Sequence, residues 1–472
     1  MSLSSRFALN RLRQLGRSWS EIEQAALSRI TGRVRSGLPA EDLDLIRRQI
    51  NECLSETGGA VLARARAARV GRQYLELNPQ GRKNFLRLLA DEYGVEDQAL
   101  REAATQWLAA DQSAATHRTA ELLAAQTALR DVLRSPRTRL LTQFNVLPQG
   151  LKFLCEMRAE LLQIARQDEA LGAFDLEFKE LLANWFDVGF LRLERITWDA
   201  PASLLEALAE HEAVHSIRSW QDIKHRLAAA DRRCFAFTHE QMPDQPLIFV
   251  WVALTDGIAG EIDELLRIDQ KGIDPEKADT AIFYSISATQ PGLDGVGFGS
   301  FLIKRVVDLL VEEHRQLKTF STLSPIPGLH KWLGEQMAAQ RVEGSDRLQK
   351  SLARLREIGP WEEIFSDRSW LREASKIKSL REPLMIVCVH YLMTAKTGKV
   401  ARDRVANFHL SNGASIERIN FPADLSRSGQ AQSAGLMVNY RYRVKDMEKN
   451  HEVYHQSGEI AHSRAIASLL KG

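Results

Sequence analysis

Residues 211–215 read His-Glu-Ala-Val-His. On a helix, two imidazoles four residues apart share one face and can hold zinc, with the intervening glutamate as general base. The longer zinc-protease pattern needs Gly and His where this chain has Arg218 and Gln221,. A third ligand about twenty residues on would fall within RCFAFTHE, which is strand-like,. We therefore expect no metal. The competing expectation is a surface helix, SLLEALAEHEAVHSI, with Leu204, Leu208 and Val214 facing inward and His211 in water,.

A second stretch, PGLDGVGFG at 291–299, suits anion chemistry. Its glycines allow close backbone approach and turn successive N–H groups toward a guest, and the next segment opens a helix with its positive end. A phosphate or pyrophosphate fits. The candidate binding residues are Pro291, Gly292, Leu293, Asp294, Gly295, Val296, Gly297 and Gly299, with Lys304 and Arg305 a turn or two further on. No Gly-Lys-Ser/Thr follows, which excludes a Walker loop, and the strands before it pair as a hairpin, which disfavours a dinucleotide fold.

The elements that must position these residues change character near residue 195. Up to that point, segments such as EDLDLIRRQINECL and GLKFLCEMRAELLQIARQ repeat apolar residues at three- and four-residue spacing,. Gly58-Gly59, Asn78-Pro79, Ser135-Pro136 and Pro148-Gln149-Gly150 divide them,. Residues 1–195 are read as a helical bundle that serves as scaffold or oligomerisation domain. From 196 to 472 the order is strand (RRCFAFTHE), strand (PLIFVWVALT), strand (TAIFYSISAT), glycine loop, amphipathic helix, strand (LKTFSTLSPIPG),. A helical insertion occupies about 330–400. The fold class is α+β, an amino-terminal all-helical domain followed by a mixed α/β domain.

Bulk properties limit the partners. Among 472 residues, 63 Lys+Arg against 61 Asp+Glu give a formal charge of +2, which excludes a general argument for nucleic acid or an anionic membrane,. No apolar run approaches the roughly 18 to 20 residues of a membrane span. The four cysteines, Cys53, Cys155, Cys234 and Cys388, form no CxxC pair and read as reduced thiols,. The first twenty residues carry arginine and serine without acid, as mitochondrial presequences do, yet Phe7, Leu9, Leu12 and Leu15 fall near helical spacing,. A first helix of the mature fold is the preferred reading. The cytoplasm is therefore expected, with the mitochondrial matrix as alternative.

The blocks FYSISATQPGLDGVGFGSFLIKRVV, FSTLSPIPGLHKWL, VANFHLSNGASIERIN and GLMVNYRY closely resemble the malonyl-CoA decarboxylase family. The resemblance covers nearly the whole second half and implies the acetyltransferase-like (GNAT) fold there. At the start of the phosphate loop, where that superfamily usually has Gln or Arg, this chain has Gly292. The resemblance also implies an active-site serine at Ser321 and histidine at His409, with Thr322 and Ser324 as rival hydroxyls. Ser321 would polarise the malonyl carboxylate and His409 protonate the α-carbon. Asn439 and Tyr440 could supply donors near the thioester, or simply form an apolar strand with polar tips. The implied ligands are malonyl-CoA and acetyl-CoA. Because the thioester is its own electron sink, no metal or organic cofactor is expected. The alternatives are an acyl-CoA N-acyltransferase and a non-catalytic acyl-CoA-binding protein. His330, His390, His451 and His455 remain unassigned.

Overall fold

The computed structural model describes residues 15–24, 34–55, 59–112, 118–166, 168–242, 245–269, 272–297, 299–339, 344–365 and 369–471. Most of the first twenty residues therefore lie outside the described part. The chain divides into two compact units: Met1–Phe190 with His239–Pro243 and Gln290–Gly297, and the remainder, Leu191–Thr238, Asp244–Thr289 and Phe298–Gly472.

In the first unit Asn78-Pro79, Ser135-Pro136 and Gln149-Gly150 are helix starts. Asn78 accepts from the Gly81 N–H and Ser135 from the Thr138 N–H, each with proline at the first helical position. That is where a missing N–H costs nothing and a side-chain oxygen satisfies an orphan donor. The helices include Ala60–Glu76, Pro79–Glu92, Pro136–Asn145, Gly150–Ala165 and Glu169–Trp185. Their inward stripes meet in an aromatic cluster, in which Phe153 packs edge-on against Trp19, Tyr74 and Phe144. Asp97–Gln112 buries only Ala103, and none of the described side chains of Arg118–Leu133 is buried.

The second unit is built on a sheet. Its strands are β1 (Leu191–Ile196), β2 (Arg232–His239), β3 (Ile248–Thr255), β4 (Thr280–Ala288), β5 (Thr319–Thr322), β8 (Ser415–Asn420) and β9 (Met437–Tyr442), ordered β1-β2-β3-β4-β5-β9-β8; β6 (Lys396–Thr397) and β7 (Val400–Ala401) form a separate small hairpin. The expected β2–β3 hairpin is antiparallel, with Cys234 opposite Trp251. β4 and β5 are parallel, and the fifteen-residue helix Gly299–Glu313 makes the crossover that parallel strands require,. Leu302, Ile303, Val306, Val307 and Leu310 of that helix are buried, while Lys304 and Arg305 are exposed. β5 and β9 are antiparallel, with Ser321 opposite Arg441 and an isolated bridge from Ser324 to Val438. The architecture is the expected one, a helical amino-terminal region and a mixed-sheet domain. Helices Leu329–Ala338, Asp346–Ile358 and Ala374–Thr394 follow β5 and precede the β6–β7 hairpin.

Candidate active site

His409 sits in the last turn of the helix Arg404–Ser411. Buried Asp403 caps that helix, its carboxylate accepting from the Val405 and Ala406 N–H groups at 3.0 Å. The imidazole is 3% exposed and stacks on Tyr440 with ring centroids 4.6 Å apart. Nδ1 lies 2.7 Å from the Tyr442 hydroxyl and Nε2 lies 3.0 Å from Ser324 Oγ. Burial pulls its pKa from the usual 6.5 down to about 3, so the ring is neutral near pH 7,.

The neighbours select the tautomer. Ser324 Oγ donates to Thr322 Oγ1 at 2.8 Å, and Thr322 Oγ1 accepts from the Tyr440 N–H at 3.1 Å. With its proton directed at Thr322, Ser324 accepts from His409 Nε2–H. Nδ1 then carries the lone pair and accepts from the Tyr442 hydroxyl. Tyr442, His409, Ser324 and Thr322 form one hydrogen-bond chain of a single polarity.

Ser321 is not part of it. Its side chain is fully buried and donates to main-chain carbonyls, those of Tyr440 at 3.1 Å and Thr322 at 3.4 Å. In extended backbone alternate side chains share a face, so Thr322 and Ser324 point together and Ser321 points away. The structure brings His409 to Ser324, one of the rival hydroxyls, and leaves Ser321 on the other face. Asn439 is buried and fully engaged: its amide donates to the Thr322 and Ala259 carbonyls, and its Oδ1 accepts from Arg418 and Asn420. It ties strands together and offers nothing to a ligand. Tyr440 supports the His409 ring, and its own hydroxyl is buried without a partner. Tyr442 was missed in the sequence, although its alternation with Tyr440 places both on one face of β9.

Ser324 and His409 open onto a pocket of about 420 Å³. β4 residues Phe283–Ala288 form one wall, Pro325 and Pro327 another, and Arg404, Val405 and Phe408 come from the His409 helix. Asp424, Ser428, Gly429 and Gln432 complete it together with Ala213, Val214 and His215. No described residue of 330–400 lines this pocket. His390 bonds Ser345 at 3.0 Å, His330 packs against Trp361, and His451 and His455 pair with each other.

The His211–His215 segment is not one helix. The helix Ala202–His211 ends at its first histidine, and Glu212 is extended. The two rings therefore do not share a helical face, and both expectations of a continuous helix through Val214 fail. Leu204 and Leu208 face inward as expected, but His211 is half-buried, with Nδ1 bonded to the Ala207 carbonyl at 3.0 Å. Among the described residues no group of three potential ligands is poised for a metal. Glu212 instead turns into the protein. Its carboxylate accepts from the Val214 and His215 N–H groups, Trp251 Nε1 and Ser285 Oγ, at 2.7 to 2.9 Å. The helix stops because this side chain supplies main-chain partners outside the helical ladder.

The glycine loop belongs to the first unit, whereas Gly299 and Lys304 belong to the second. Gly292 is buried, and a Cβ there would collide with the Cys155 carbonyl. Arg158, 1% exposed, donates to the carbonyls of Gly292 and Asp294 at 2.7 and 2.9 Å. The N–H groups of Leu293, Asp294 and Val296 bond to carbonyls at 290, 291 and 293. Gly292 thus answers to helix packing, and three of the expected anion donors are used within the loop. Gly295 is different: it has φ +75° and an exposed backbone, with Lys179 Nζ within 3.4 Å of where a Cβ would stand. Lys179, from the helix Glu169–Trp185, is a cation that its helical context in the sequence gave no reason to single out. Lys304 is half-exposed and paired with Glu448 at 2.9 Å.

The malonyl-CoA decarboxylase carboxy-terminal domain model matches residues 189–472, and the amino-terminal domain model of the same enzyme matches 93–186. The mitochondrial malonyl-CoA decarboxylase of Anser anser anser is 37% identical over 426 residues, covering 86% of this chain and 84% of that protein. The mitochondrial enzyme of Mus musculus is 38% identical over 408 residues, 82% of each. Crystal structures of malonyl-CoA decarboxylases from Agrobacterium vitis and Rhodopseudomonas palustris superpose with TM-scores of 0.80 and 0.79 at 36% and 35% identity, covering 90% and 92% of this chain and all of theirs. A fold, a serine–histidine pocket and two matched domains lead to one assignment: the chain belongs to the malonyl-CoA decarboxylase family.

Proposed function

We infer that the chain converts malonyl-CoA to acetyl-CoA and CO2, with Ser324 and His409 as the reacting pair. The observation that carries this is the neutral His409 ring clamped between Ser324 and Tyr442, with Ser324 and the ring facing the same pocket. Cleavage of the C–C bond releases CO2 and leaves its electron pair on the α-carbon, delocalised into the thioester oxygen. The Ser324 hydroxyl, turned from Thr322 toward substrate, gives its proton to the α-carbon. His409 Nε2–H replaces that proton, the Tyr442 hydroxyl gives its own proton to the bare Nδ1, and a proton from water resets the chain. Neutral histidine suits this task because the ring both gives and takes a proton within one relay. The thioester is the electron sink, so the reading requires no metal or organic cofactor.

The loop Pro291–Gly297 is assigned to CoA phosphate through the Gly295 main chain and Lys179. An acyltransferase would need an acceptor amine. Incubation with malonyl-CoA in the absence of amine should yield acetyl-CoA and CO2; no turnover would remove the assignment.

For self-association we favour contacts through Asp97–Gln112 and Arg118–Leu133, whose Leu108, Leu123 and Leu133 are all more than half exposed. Sedimentation of Leu123→Glu against the parent chain tests this. No helix among the described residues is long and apolar enough to cross a membrane. We keep the cytoplasm as compartment; cell fractionation decides between it and the matrix.

A further inference from the structure

The decarboxylation chemistry uses one side of the pocket and leaves His215 without a task. His215 lines the same pocket as Ser324 and His409 and is 8% exposed. Its Nε2 is buried without any hydrogen-bond partner. An interaction with the Tyr284 main chain favours a proton on the ring, and because Nε2 has no partner we place that proton on Nδ1. A neutral ring with Nδ1–H committed presents a bare lone pair at Nε2. An orphaned buried acceptor of this kind is costly unless something completes it.

The setting keeps this acceptor in place. Glu212 accepts from the His215 N–H at 2.8 Å and from Trp251 Nε1 at 2.8 Å, pinning the loop to β3. The charged groups that act on the ring are the acids Asp424 and Glu212 and the base Arg226. Desolvation is the largest influence on the ring and favours its neutral form. A malonyl carboxylate against this lone pair, with Asp424 in the same wall, would meet repulsion. The thioester carbonyl would meet a second acceptor. The parts of an acyl-CoA that can donate are the pantetheine amides and the pantoyl hydroxyl, and the amide beside the cysteamine is the donor closest to the reacting end.

We propose that His215 Nε2 accepts the N–H of the pantetheine amide next to the thioester, so that the malonyl group points toward Ser324 and His409. His215 is then a substrate-orienting residue, held in register by Glu212. This rests on the acyl-thioester reading of the pocket, which the turnover assay above tests separately.

Two synthetic substrates isolate the contact: malonyl N-acetylcysteamine thioester, which keeps that amide, and malonyl S-pentyl thioester, which replaces it with methylenes. The parent chain should favour the amide substrate in kcat/KM by about tenfold, the size of one hydrogen bond to a buried acceptor. In His215→Leu that preference should collapse, with the loss falling on the amide substrate. His215→Gln, whose side-chain carbonyl can accept, should recover part of it. Equal losses on both substrates in His215→Leu would overturn the proposal and place His215 in the fold or the chemistry. Equal kcat/KM for the two substrates in the parent chain would overturn it without any variant. A rise in KM for malonyl-CoA with unchanged inhibition by acetyl-CoA would also overturn it, by placing His215 at the carboxylate.

Discussion

Ser324 Oγ lies 3.0 Å from His409 Nε2, while Ser321, three residues earlier, gives its proton to main-chain carbonyls on the other face of the strand. Hydroxyls an odd number of residues apart in extended backbone serve opposite faces, and only one of them can reach the imidazole.

Ser324→Ala and His409→Ala should each lower kcat by about 10²- to 10⁴-fold, as for a lost acid–base group, with little change in acetyl-CoA affinity. Their combination should cost far less than the product of the two. Ser321→Ala should keep near-normal turnover and lose about 1 kcal/mol of stability, the worth of a buried hydrogen bond. Steady-state kinetics and urea unfolding decide. A dead Ser321→Ala beside an active Ser324→Ala would reverse the assignment.

Tyr442→Phe removes the proton donated to Nδ1 and with it one of the two bonds that hold the His409 tautomer,. Turnover should fall about 10- to 100-fold with KM nearly constant, on the scale of one lost hydrogen bond in a catalytic network. Nitrogen NMR of the labelled ring should show the Nε2–H form in the parent chain and a tautomer mixture in the variant. An unchanged spectrum would separate Tyr442 from the relay.

Burial holds the folded His409 pKa at about 3, below the ordinary value of 6.5. Between those values the unfolded chain binds more protons, so folding stability falls as pH drops from 6.5 toward 3. One such histidine contributes a slope of about 1.4 kcal/mol per pH unit inside that window. His215, His225, His239 and His390 are depressed as well, each with burial as the largest cause, and add in the same direction. His409→Leu should reduce the slope by about one proton, measured by urea unfolding at pH 4.5, 5.5 and 6.5. An identical slope in the variant would show that the ring is charged in the folded chain.

Lys179→Ala should raise KM for malonyl-CoA several-fold at constant kcat, because a half-buried cation that meets only phosphate contributes binding and no chemistry,. The same substitution should leave KM for the N-acetylcysteamine thioester, which has no phosphate, unaltered. Lys179 is a cleaner probe than Gly295→Val, since φ +75° would strain valine whatever binds there,. Equal KM changes for both substrates would move the phosphate site elsewhere.

Periodicity and punctuation belong to local chemistry, and the sequence alone determined them. Helices began at Asn78-Pro79 and Ser135-Pro136 because capping and the missing proline N–H act within four residues,. The strand order around the glycine loop was legible for the same reason, whereas His409 was singled out only through the family resemblance. What touches what was not. Ser321, Thr322 and Ser324 differ little as letters, and the choice among them came from strand parity plus a helix arriving from residues 404–411. Gly292 looked like an anion site, but the Cys155 carbonyl, 137 positions away in the chain, explains the missing side chain. His211 and His215 had zinc spacing only while a helix joined them, and Glu212 ended that helix by turning to Trp251 and Ser285. Propensity is a property of neighbours in the chain. Burial, which neutralises His409 and orphans His215 Nε2, is a property of neighbours in space,.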